Sequence, residues 1–282
     1  MTRKPWIPFL LITLLSLLIF VVFSHMRPLL PAPWDVPFRL ALLLLLFLGR
    51  CMGGKITGME KYRGLLYAFF TASAAMAVDY LLPTGPWLLR RLAIPLTSPW
   101  GLALDKLDST LLLTAMILLL TRLSGKHPRD LYLRKGNLRQ GLLLGFLLFA
   151  LCTLGALPMA SLFGAKNLSF ARILPWIPSM LLFVLANAFN EELLFRGLFL
   201  RDTSTILGKT FGNVVLVLPF VLHHTGVTYS ASTALLFLFL FPLAFLWGCL
   251  TQKAGSLWGS VLFHAGTDLP VVLALFSQLP PP

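Results

Sequence analysis

Apolar residues fall in long runs separated by short polar clusters, and nine runs read as membrane helices: residues 6–23, 37–50, 64–82, 107–121, 140–163, 174–198, 210–226, 231–250 and 256–276. A bilayer core roughly 30 Å thick needs about 20 mostly apolar residues per helix. The second and fourth runs are short for that task. Residues 83–106 carry several prolines, Trp87, Trp100 and the pair Arg90–Arg91. That stretch is too broken to span, so we expect it to lie on the membrane surface or to re-enter. The pattern predicts an all-α, polytopic integral membrane bundle of about eight to nine transmembrane helices. Residues 1–139 form N-terminal membrane helices with the interfacial segment at 83–106, and residues 140–282 form a core that holds the polar motifs.

Composition agrees with this pattern. Apolar residues make up 57% of the 282 and charged residues 12%, with a mean hydropathy of +0.85. Disorder needs low hydrophobicity, and a soluble domain carries about a quarter charged residues, so both are excluded. The net charge of +13 would suggest nucleic acid in a soluble protein. Here its distribution reports topology. With a cytoplasmic N-terminus, sixteen of the 23 Lys and Arg fall in cytoplasmic stretches and six in the opposite ones, with Arg39 inside a segment. Positive charge concentrates on the cytoplasmic side of membrane proteins. We therefore expect an inside N-terminus, an odd number of spans and no nucleic-acid partner. The first apolar run lacks a small-x-small cleavage site before His25-Met26-Arg27 and reads as a retained anchor. Cys51, Cys152 and Cys249 have no paired spacing and read as free thiols. No internal repeat is evident.

The ten acidic residues carry more information. Most lie in loops or at helix ends, with Asp79 near the outer end of the third segment. Glu191, Glu192 and Asp268 fall inside predicted helices of the last third, together with His223, His224 and His264. Ionisable groups at membrane depth mark functional sites. Glu192 and Arg196 are four residues apart and share a helix face. Glu191 lies about 100° round the helix and faces a different neighbour. Phe220 and His224 are one turn apart, as are His264 and Asp268, while His223 and His224 point in different directions. Counting ~1.5 Å per residue from Arg201, Lys209 and Lys253 puts Glu191 ~15 Å, His224 ~22 Å and His264 ~17 Å deep. We expect one polar layer, reached from the cytoplasmic side. Ordinary readings compete: charged helix ends in water for the glutamates, hydrogen-bonded core residues for the histidines.

The ordered set Glu-Glu-x-x-x-Arg (Glu191, Glu192, Arg196), Phe-x-x-x-His (Phe220, His224) and His-x-x-x-Asp (His264, Asp268) resembles the CPBP family of intramembrane proteases, which includes the CAAX-processing enzymes. Phe-Arg-Gly after the glutamates and Gly-Ser-Leu-Trp at 255–258 add to the likeness, which covers roughly residues 174–272. In that family the last motif commonly ends in Asn. Here Asp268 stands there, and a carboxyl donates a hydrogen bond only when protonated.

Peptide hydrolysis needs an activated water and stabilisation of an oxyanion. Glu191 is the candidate base, His224 its helper at the water, and His264 with Asp268 the oxyanion or carbonyl side. The resemblance implies the same division. Glu192 and Arg196 are assigned to site architecture and substrate orientation. Glu191, His224 and His264 could also form a three-ligand zinc site. The local His-Glu-x-x-His spacing of zinc proteases is absent, so a metal-free glutamate mechanism is preferred. The expected partners are a membrane protein or lipidated peptide substrate and the bilayer. The same polar groups would also suit a proton-coupled transporter, although paired broken helices are absent. A non-proteolytic relative acting as an immunity protein or adaptor is a third reading.

Overall fold

The computed structural model describes residues 6–23, 28–226 and 233–279. The expected cleavage-site region at His25-Met26-Arg27 and the basic residues Arg3 and Lys4 lie outside these. Helices account for the architecture, and no strand occurs among the described residues. In hydrocarbon a helix satisfies its own backbone polar groups, so long apolar runs adopt it. The chain first forms α1 (Trp6–Val22), α2 (Asp35–Gly53) and α3 (Arg63–Leu81). Then come the short α4 (Thr84–Arg91), the long α5 (Pro99–Leu123), α6 (Leu144–Leu154), α7 (Ala156–Leu162) and a single turn, α8 (Phe170–Ile173). The last part consists of α9 (Ile177–Glu192), α10 (Leu198–Leu207), α11 (Lys209–His223), α12 (Thr233–Ala254) and α13 (Trp258–Ser277).

The helices run between two ends. At one end Arg50 Nη2 donates to Ser124 Oγ at 2.7 Å, Arg201 pairs with Asp130 at 2.7 Å, and Gln252 Nε2 donates to the Lys209 carbonyl at 3.0 Å. This basic end gathers the loops in which most Lys and Arg fall. At the far end Tyr80 donates to Asp35, Thr84 to Asp108, and the Lys166 N–H to Ser277 Oγ. The charge asymmetry of the sequence is thus an asymmetry of the molecule.

Five helical stretches are long and apolar enough to cross a membrane: Asp35–Gly53, Glu60–Arg91, Phe170–Leu207, Ala234–Ala254 and Trp258–Ser277. A sixth results if the bent pair Arg139–Leu154 and Ala156–Leu162 counts as one, and Trp6–Val22 and Lys209–His223 are shorter apolar helices. The chain is an integral multi-pass membrane protein. By length and composition the described residues yield five or six spans, against the eight or nine expected.

Three boundaries depart from expectation. Residues 99–106 do not join an interfacial segment; they are the first two turns of α5. Ser98 caps that helix by accepting the Gly101 N–H at 3.0 Å, and Pro99 opens it, a position where a missing N–H is harmless. The expected span 140–163 is bent by 59° where α6 meets α7. Pro158 explains the break, because its ring clashes with the carbonyl of Leu154 and it has no N–H to offer. The run at 174–198 continues to Leu207 through a π-turn at Leu193–Gly197.

Small residues set the closest packing. A Cβ on Gly145 would collide with the Gly259 backbone, and one on Gly259 with the carbonyl of Gly141. Membrane helices without side chains at the seam approach closely and gain dispersion energy. That seam holds α13 against α6. The Gly-Ser-Leu-Trp turn then fixes where α13 begins: Gly255 adopts φ +65° and its carbonyl accepts from Arg134 Nε at 2.6 Å. Ser256 Oγ donates to the Arg134 carbonyl at 2.7 Å.

Candidate active site

The glutamate pair sits where α9 passes into the π-turn, deep in the bundle. Glu192 and Arg196 are fully buried, and Arg196 Nη1 donates to Glu192 Oε1 at 2.8 Å. Arg196 Nη2 donates to the Ala244 carbonyl on α12 at 2.7 Å. The guanidinium lies over the rings of Phe220, at 4.9 Å, and Trp247, at 5.4 Å. Ion pairing, a carbonyl and two π-faces offset the desolvation of a charge that hydrocarbon would not tolerate alone. The ordinary reading of this pair as a solvated helix end does not survive the burial. A π-turn adds a residue to the helical repeat and recurs at functional sites. Here it carries Arg196 and Gly197.

Glu192 Oε1 also meets His264 Nδ1 at 3.0 Å. A carboxylate paired with Arg accepts, so Nδ1 carries the proton and donates. Trp247 stacks on the imidazole at 3.7 Å and 10°. These contacts fix the ring and aim Nε2 at the remaining carboxylates: Glu191 Oε2 and Asp268 Oδ1 each lie 3.5 Å away. Glu192 therefore orients the His264 ring. Asp268 Oδ2 instead accepts from Asn187 Nδ2 at 2.9 Å.

His224 follows α11 in a single 3-10 turn. Its Nδ1 lies 2.8 Å from the Phe220 carbonyl, and because a carbonyl only accepts, Nδ1–H is the donor. Nε2 is left as the basic nitrogen. Phe220 lies between the two histidines, 4.9 Å from the His224 ring and 5.9 Å from the His264 ring. The spacing of the second motif thus has a physical reason: one residue supplies both the carbonyl that sets the tautomer and the ring that spaces the imidazoles.

Glu191, His224, His264 and Asp268 line one cavity of about 210 Å³, with Glu192 and Arg196 beneath it. Glu191 Oε2 is a buried oxygen without a hydrogen-bond partner among the described residues. The structure also adds three residues that no motif marked. Asn187 is one turn before Glu191, Trp247 forms a wall, and Lys106 from α5 reaches the cavity with Nζ 5.8 Å from the Phe183 ring centre. Asn187 shares a helix face with Glu191 at i,i+4 spacing, a signal that was available. Lys106 is 85 residues away in sequence from Glu191, and nothing local ties the two.

Apart from Thr267 the rest of the lining is apolar and includes Phe163, Leu236, Phe239 and Leu275. Phe163 follows α7, and the other three lie in the far-end halves of α12 and α13. Phe195, Trp247 and Leu257, nearer the basic end, are buried. The cavity lining extends from the glutamates towards the far end.

Among the described residues no group of three or more His, Cys, Asp or Glu side chains is arranged to hold a metal ion. Glu191, His224 and His264, the zinc ligands considered from the sequence, share the cavity without forming such a group.

In this multi-pass helical membrane protein a buried Glu, two oriented imidazoles and a polar floor thus meet at one cavity. Residues 173–270 match the family model described as type II CAAX prenyl endopeptidase Rce1-like. The chain is similar to that family of peptide hydrolases over about a third of its length, the stretch that holds all three motifs. No curated protein and no solved structure matches the chain.

Proposed function

We propose that the chain is an intramembrane endopeptidase that hydrolyses a peptide bond of a membrane-associated substrate with a water activated by Glu191. The observation that carries this reading is the aim of Glu191: a buried carboxylate oxygen facing a cavity shared with two tautomer-defined histidines. Glu191 takes the proton of the water, whose oxygen attacks the scissile carbonyl. His224 Nε2 accepts from the same water and holds it. As the tetrahedral oxyanion forms, the second N–H of Asn187 is the donor at hand, and His264 joins it from Nε2 as an imidazolium. The proton held by Glu191 then passes to the leaving amine, and the peptide bond breaks. Glu192 and Arg196 act as positioning residues through His264. No step is routed through a metal.

Apolar walls suit an apolar or lipid-bearing peptide segment, and the Lys106 ammonium suits a carboxylate of the substrate. We place the basic end in the cytoplasm on the positive-inside rule. The cavity then receives substrate from the opposite leaflet or lipid-facing side. Purified chain should cleave a reconstituted membrane peptide at an undiminished rate in strong chelator. Glu191→Ala and His224→Ala should abolish cleavage while the thermal transition stays in place. Chelator-sensitive cleavage with stoichiometric zinc would overturn the metal-free mechanism, and undiminished cleavage by both variants would overturn the site.

A further inference from the structure

A second cavity, of about 600 Å³, lies at the basic end, far from the glutamates. It is walled by the last turn of α2, the first turns of α3 and the loop after α5. Four cations line it: Arg50, Lys55, Arg63 and Lys126, and its lining contains no carboxylate. The Asp202 carboxylate lies against Gly64 behind the lining, so one acid answers part of this charge and the rest favours a further anion.

The arrangement is built, not a loose scatter of lysines. The Tyr67 ring has Lys126 Nζ 4.1 Å and Arg50 5.7 Å from its centre. Arg50 is further held by its 2.7 Å bond to Ser124 Oγ, and Tyr67 is itself fixed by a 2.7 Å bond to Thr121. Burial pushes the Lys126 ammonium below its ordinary range, in spite of the fields of Asp202 and Asp130. Asp130 is already engaged by Arg201.

The location narrows the ligand. The cavity sits at helix ends, at headgroup depth for a bundle of this length. Beside it α2 is mostly exposed and presents Leu40, Leu44, Leu45 and Leu48 outward, a surface along which an acyl chain can lie. Basic pockets between membrane helices on the cytoplasmic side hold lipid phosphates. We propose that this cavity binds a phosphate-bearing anion, with the headgroup of an anionic phospholipid as the source its position favours.

Cys51 lines the cavity and is exposed, so it reports occupancy without a variant. The full chain would be placed in nanodiscs of phosphatidylcholine, or of phosphatidylcholine with phosphatidylglycerol, and Cys51 alkylation by neutral N-ethylmaleimide followed by peptide mass spectrometry. We expect alkylation at least fivefold slower with phosphatidylglycerol. The exposed pair Lys55→Gln/Arg63→Gln should abolish that protection. Protection by 10 mM inorganic phosphate in phosphatidylcholine alone would support the anion site and assign a soluble source. Equal rates under all three conditions would overturn the proposal. So would protection that persists in the double variant.

Discussion

Arg196 and Glu192 show how a single pair serves both the fold and the site. Removing one partner of a buried ion pair leaves the other uncompensated, at a cost of about 3–5 kcal/mol. Arg196→Met should lower stability by about that amount in a denaturation experiment. Glu192→Leu added to it should recover part of the loss, since an apolar pair of similar volume is tolerated. Activity should stay lost in the double variant, because Glu192 also holds His264 Nδ1 at 3.0 Å. Recovery of both together would show that Glu192 has no role beyond the ion pair. Asn187 is argued from the same geometry. Its Nδ2 faces Asp268 at 2.9 Å, so one N–H remains to meet an oxyanion. Losing an oxyanion donor costs roughly 10²–10³ in kcat. Asn187→Leu should therefore lower kcat by about that factor with little change in KM, and a loss confined to KM would contradict this role.

Helices place these residues, and here the sequence was readable to an uneven degree. Each motif reads as one helix face, and i,i+4 spacing brought Glu192 to Arg196 and Phe220 to His224 as expected. Prolines were harder, because the residue does opposite things by position. Pro99 starts α5, whereas Pro158 accompanies the 59° bend between α6 and α7. A breaker and a starter look alike until the cap at Ser98 is seen. The contact of Gly141 and Gly145 with Gly259 was equally hidden, since small residues signal a seam without naming its partner. Gly145→Leu should force α6 from α13 and destabilise the protein by about 1–3 kcal/mol. Gly49, with nothing within 4 Å of a Cβ, is the control: Gly49→Ala should be neutral or stabilise by up to about 1 kcal/mol. Equal effects at the two positions would remove the seam from the account.

At the scale of the whole molecule, the two ends differ in charge and the lining of the candidate cavity extends away from the basic one. Hydropathy and charge counts revealed the first asymmetry. They could not reveal the second, which depends on Leu236 and Leu275 lining the cavity and on Lys106 reaching in from outside the matched stretch. The proposed membrane sidedness rests on both. In intact spheroplasts a membrane-impermeant maleimide should label Lys106→Cys at once and Cys51 only after permeabilisation. The reverse order would turn the molecule over in the membrane. The central claim is chemical: Glu191 activates a water. Cleavage of a reconstituted membrane peptide in ¹⁸O-water tests it most directly. One ¹⁸O should appear in the new product carboxylate and none in Glu191, with no product from Glu191→Gln. Label in Glu191, or product from the Gln variant at the native rate, would contradict it.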